Sequence, residues 1–159
     1  MAERRSEDPR RRALVDLYDA EREAMVRLAH LLTGSLALAE DVVHDAFIRV
    51  YDGLDEVREP GAYLRRTVIN LCHSHHRRAD VEQRWRDRQP PPDVVIPPDV
   101  DETWRAVRAL PERQREALVL RFYLDMKVGD IATTLDVPLG TVKSNIHRGL
   151  AALAREVER

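Results

Sequence analysis

Residues 136–153, DVPLGTVKSNIHRGLAAL, place a proline and a glycine in a short turn ahead of a stretch in which every charged residue is basic. At about 100° per residue, a helix starting at Thr141 groups Val142, Ile146, Leu150 and Leu153 on one side, the side predicted to face a core. Ser144, Arg148 and Arg155 fall opposite, with Lys143 and His147 flanking them. This outer surface offers guanidinium, ammonium, imidazole and hydroxyl groups, which suit phosphates and purine edges. The preceding apolar run, 128–135, packs through Ile131, Ala132 and Leu135, and the small Ala132 permits a close crossing. Joined by 136–140, the two segments form a candidate helix-turn-helix. A solvated terminal helix with basic residues complementing its dipole accounts for Arg155, but not for Lys143, Ser144 and Arg148 beside a tight turn.

Working outward, the chain of 159 residues suits one domain or two small ones, and 43% hydrophobic residues suffice for ordinary cores. Aromatics make up 5%, and Leu, Ala, Val and Arg recur at helical spacing, so the fold class is all-α. Apolar runs are interrupted by charge before they reach the length of a bilayer crossing, and the Arg-rich start leads into no apolar signal core. The reading is a soluble, cytoplasmic chain without membrane insertion. A single cysteine, Cys72, excludes an internal disulfide framework. Net charge is −2, yet the charge is unevenly distributed. Residues 60–78 carry four arginines, three histidines and no acid; residues 141–155 carry one lysine and two arginines, again without an acid. Two basic stretches in a slightly acidic chain point towards nucleic acid.

The remaining chain divides into two helical units. Residues 1–12 are charged and lack apolar periodicity, predicting a disordered N-terminal arm. Residues 14–32, 37–51 and 60–78 predict three helices, the second with a core stripe of Val42, Val43, Ala46, Phe47 and Val50 and the third opened by Pro60. Together they define a first domain over 13–80. Residues 89–102 hold five prolines, four acids and no basic residue, so 81–102 reads as an extended acidic linker. Helices at 103–110, 112–123, 128–135 and 141–156 then make a second domain over 103–159.

Within that frame, LPERQREALVLRFYLDMKVGDIATTLDVPLGTVKSNIHRGLAAL resembles region four of bacterial RNA polymerase sigma factors, and AEDVVHDAFIRVYDGLDEVREPGAYLRRTVINLCHSHHRR resembles region two. With these two regions and a short linker, the chain resembles an extracytoplasmic-function (group IV) sigma factor. The pattern departs at Asp136, where glycine is common in the turn, and at Val128, where an aromatic is common. The resemblance implies an initiation factor with core RNA polymerase and promoter DNA as partners, an anti-sigma factor as a further one, and no catalytic residue. It also implies that Lys143, Ser144, His147 and Arg148 read the upstream (−35) element. Arg65, Arg66, Asn70, His73 and Arg77, with the loop at 52–61, would hold the downstream (−10) element and a base turned out of its stack. Asn70 can pair with a base edge, and the arginines can hold the backbone. Asp41, His44, Asp45 and Ile48, acids around an exposed aliphatic, match the surface that grips the clamp coiled coil of the largest polymerase subunit; the β flap is a second implied contact.

Two other chemistries can be weighed on residues alone. Cys72 and His76 have the four-residue spacing of helical metal ligands, but no second ligand pair lies nearby. Asp41 with His44 matches one half of a di-iron helical site, and the other half is missing. No Gly-rich phosphate loop or nucleophile–base pair is present, so neither cofactor, metal nor catalytic residue is assigned. A stand-alone dimeric helix-turn-helix regulator is the alternative function; it explains the second domain and leaves the first without a role.

Overall fold

The structure, a computed structural model, describes residues 8–85 and 102–158. Its elements are α1 (Pro9–Thr33), α2 (Leu36–Gly53), α3 (Pro60–Trp85), α4 (Glu102–Ala109), α5 (Glu112–Leu118) running into a wide turn (Val119–Tyr123), α6 (Val128–Leu135) and α7 (Leu139–Val157). No strand occurs among the described residues.

Local chemistry sets the boundaries. Asp8 caps α1 by accepting from the Arg10 N–H at 3.1 Å, and Pro9 takes the first helical position. The arm predicted over 1–12 is therefore helical at 9–12: a cap, a proline at the permitted position and Arg10 packed over the Tyr51 ring outweigh the lack of periodicity. Residues 1–7 of that arm lie outside the described residues. α1 stops at Gly34, whose φ of 75° is left-handed and whose N–H donates to His30 O at 2.9 Å. Ser35 then caps α2, its hydroxyl accepting from the Leu38 N–H at 3.3 Å. α3 continues past its predicted end at 78 as far as Trp85, since nothing between Arg78 and Trp85 breaks a helix. Of the linker predicted over 81–102, residues 81–85 are helical in α3, Glu102 opens α4, and 86–101 lie outside the described residues.

α1, α2 and α3 pack together around Met25, Leu28, Leu32, Val42, Val43, Phe47, Val50, Leu64, Val68 and Cys72. Every member of the predicted α2 stripe is buried. Ile69 and Cys72 complete the core side of α3, and Leu71 is half-buried. The same apolar cluster continues without a gap through Val119, Leu120, Ile131, Leu135 and Val142 of the later helices.

In that later part the wide turn carries bonds five or more residues long, Leu124 N–H to Val119 O at 3.2 Å and Met126 N–H to Leu120 O at 3.0 Å. It leaves Phe122 and Tyr123 exposed. α6 ends on Asp136 in the left-handed region, φ 53° and ψ 50°, with Val137 N–H returning to Ala132 O at 3.0 Å. Thus the turn keeps the tight geometry that glycine commonly supplies. α7 begins at Leu139, two residues before the predicted Thr141, because the Pro138 carbonyl already accepts from the Thr141 and Val142 N–H groups. Its core side is also turned from the prediction. Val142 and Gly149 are buried, Ile146 and Leu153 are half-buried, and Leu150 is 44% exposed. A Cβ on Gly149 would stand 2.8 Å from Leu118 Cδ1, so α7 crosses α5 at a position with no side chain.

Candidate nucleic-acid and polymerase interfaces

On α7 the helix-turn-helix presents Lys143, His147 and Arg148 to solvent, with Ser144 half-buried beside them. No acid occurs on this helix before Glu156, so the face carries one sign of charge. Arg155 turns its Nε back to Ala151 O at 3.2 Å.

α3 carries the second basic face. Arg65, Arg66, Asn70 and Arg77 are exposed, and Arg65, Arg66 and Asn70 line a cleft of about 410 Å³ closed on the other side by Met126, Asp130, Thr133 and Thr134 of α6 and its approach. His73 is placed differently: half-buried, it donates from Nδ1 to the Glu116 carboxylate, at 2.9 and 3.1 Å from its two oxygens. This hydrogen bond and the Glu116 charge raise the His73 pKa above its ordinary 6.5 against burial, Arg77 and Arg113. Glu116, only 2% exposed, and the adjacent Arg115, 7% exposed, were invisible as structural residues in the sequence. In "PERQREALVL" they look like the solvated side of a helix, and nothing local signals a partner 43 residues away.

Asp41, His44, Asp45 and Ile48 all lie on the exposed side of α2, opposite its buried stripe, and Ile48 is 49% exposed. The Cys72 thiol, by contrast, points into the core, where burial first and Glu116 second push its pKa up to about 12. It is therefore a packed apolar side chain, far from the thiolate that metal binding needs. His76 is buried with neither ring nitrogen hydrogen-bonded, and burial lowers its pKa. No group of three His, Cys, Asp or Glu among the described residues is arranged to hold a metal ion. A third surface, missed from the sequence, is an apolar groove between α4 and α7 lined by Trp104, Val107, Phe122, Tyr123, Leu150 and Leu153. The wide turn supplies two of its walls, and no periodicity argument anticipates such a turn.

Comparison with known proteins agrees with this layout. Family models for "Sigma-70 region 2" and "Sigma-70, region 4" match residues 17–82 and 101–153. An RNA polymerase sigma-E factor of Streptomyces avermitilis is 32% identical, covering 86% of this chain and 80% of its own. The ECF RNA polymerase sigma factor SigW of Bacillus subtilis is 28% identical over 91% of this chain and 89% of its own. The sigma factor RpoE of Bartonella quintana, solved in complex with the anti-sigma factor NepR, shares the fold with a TM-score of 0.65 at 21% identity, covering 93% of this chain and 96% of that one. Two region models in order, a close relative along nearly the whole chain and the same all-helical fold have one reading: the chain belongs to the extracytoplasmic-function sigma factors of the sigma-70 family.

Proposed function

We propose that the chain, as a transcription initiation factor, docks on core RNA polymerase through α2 and reads a promoter with two separate faces. The observation that carries this is the pair of acid-poor basic helices, α3 and α7, held on one chain beside an exposed acidic and aliphatic face on α2. In this assignment Asp41, His44, Asp45 and Ile48 meet the basic clamp coiled coil of the largest subunit, where charge steers the encounter and Ile48 supplies burial. The groove of Trp104, Phe122, Tyr123 and Leu150 supports a contact with the β flap, since an apolar surface of this kind is suited to an apolar helix. Lys143, Ser144, His147 and Arg148 read the upstream element. Arg65, Arg66, Asn70, His73 and Arg77 hold the downstream one, within a first domain that runs from α1 through α3 and a second that begins with α4. An anti-sigma factor is assigned as a regulator, by kinship with the complex of the Bartonella protein. No catalytic residue and no cofactor are assigned. The described helices include none long and apolar enough to cross a membrane, and the place of action is the cytoplasm, with the polymerase.

Run-off transcription with reconstituted holoenzyme tests the assignment. Asp45→Arg, an exposed change that opens no cavity, should weaken assembly with core enzyme on gel filtration while leaving the fold intact. Unchanged assembly removes α2 from the interface. Sequence-specific duplex binding by the free chain, with no stimulation of core enzyme, favours the stand-alone regulator.

A further inference from the structure

The arginines around α5 are of two kinds. Arg115 donates to Leu32 O at 3.3 Å and to Arg108 O at 3.0 Å, and Arg108 donates to Gly34 O at 2.7 Å, so both are committed to backbone carbonyls. Arg77 of α3 and Arg113 of α5 have neither ion pair nor hydrogen bond among the described residues. Yet these two converge. Both line one cavity of about 320 Å³ together with His73, and both charges bear on the His73 ring, against the proton that Glu116 favours there. Like charges brought to one cavity with no carboxylate between them repel, which suits the place to an anion.

The rest of the lining narrows the choice of anion. Glu116 is committed to His73, and the other acid of the described lining, Asp136, comes from the turn between α6 and α7. Leu135, Val137 and Val142 give the cavity an apolar side, while Thr141 and Asn145 add a hydroxyl and an amide. Guanidinium forks pair with phosphate oxygens, an apolar wall takes the face of a flat ring, and a carboxylate or amide accepts from ring N–H groups and sugar hydroxyls. The volume falls at the lower end of the small-ligand range. We propose that this cavity binds a nucleoside diphosphate, with its phosphates on Arg77 and Arg113 and its base against Leu135 and Val137, within reach of Asp136 and Asn145. Its walls come from α3, α5 and the helix-turn-helix, so an occupant stabilises the arrangement it binds by mass action. An occupant also engages Arg77, which the proposed function gives to the downstream element. Competition with the promoter strand rests on that reading; the site itself does not.

Isothermal titration calorimetry of the full chain, free of polymerase, with GDP, ADP and inorganic pyrophosphate tests the site. At least one nucleotide should bind with a Kd of about 100 µM or tighter, and about tenfold more tightly than pyrophosphate. The Tm should rise with the concentration of that nucleotide. Arg113 is exposed, so Arg113→Ala should leave the melt without nucleotide unchanged and weaken binding by about tenfold or more. Where Arg113→Ala lowers that melt, Arg113→Gln replaces it. The His73 ring, followed by NMR, should titrate at higher pH in the saturated chain, because an anion beside it offsets Arg77 and Arg113. Four results overturn the proposal: neither nucleotide binding, pyrophosphate binding as tightly as either, unchanged affinity in the folded Arg113 variant, or an unmoved His73 titration at saturation. Uptake of a random-sequence single-stranded oligonucleotide with no uptake of free nucleotide also overturns it, leaving Arg77 and Arg113 as contacts to a nucleic-acid backbone.

Discussion

His73 and His76 stand one helical turn apart on α3, and the Glu116 carboxylate favours the charged form of both, but the bond to it prevails at His73 and burial prevails at His76. The bond to Glu116 raises His73, so its contribution to folding is complete below pH 6.5 and is lost as pH rises through the raised value. Burial lowers His76, with Glu112, Glu116, Arg115 and His73 around it; its contribution is complete above pH 6.5 and is lost as pH falls through the lowered value. Their joint contribution therefore peaks near 6.5 and declines on both sides. Thermal melts of wild type and His73→Ala should differ most at and below pH 6.5 and converge as the medium becomes alkaline. A gap that widens with pH would mean that Glu116 does not hold the ring. Asp136 allows a simpler forecast. With φ at 53° and its side chain exposed, Asp136→Gly relieves left-handed strain, and the unfolding free energy should rise by up to about 1 kcal/mol, read as a higher denaturant midpoint at constant m. The basic stretch over 60–78 and the family resemblance drew attention to His73, but the identity of its partner could not be read, because a buried carboxylate and a solvated one are spelled alike.

Among the elements, α7 shows both what a helical wheel can reveal and where it fails. The wheel correctly set Lys143, His147 and Arg148 outward and Val142 inward. It assigned Leu150 to the core because it weighs side chains and cannot see that the closest approach of two helices falls on a residue with none. Gly149 takes that place against Leu118, and Leu150 is turned to the apolar groove. The outward assignment leads to a measurement. If Arg148 contacts a base edge, Arg148→Ala in holoenzyme should cost about 1 to 3 kcal/mol and relax preference at one upstream position. Run-off transcription from libraries randomised separately in the two promoter elements checks it, and a loss confined to the downstream element would reverse the placement of α3 and α7. The ends of elements followed capping chemistry: the Asp8 cap and the Pro138 carbonyl moved two starts from where apolar periodicity had put them.

For the whole molecule, fold class and helix order were legible because each helix buries its own stripe, a signal contained in short windows of sequence. How the halves meet was not legible, since it depends on Arg108, Arg115 and Glu116 finding partners 74, 83 and 43 residues away, and such pairings leave no periodic trace. The apolar cluster that runs from Met25 through Cys72 on to Ile131 and Val142 has a thermodynamic consequence. Two bodies sharing one interior cannot lose their structure independently. Calorimetry should record a single transition whose calorimetric and van't Hoff enthalpies agree, with neither the half that carries α1 to α3 nor the half that carries the helix-turn-helix melting ahead of the other.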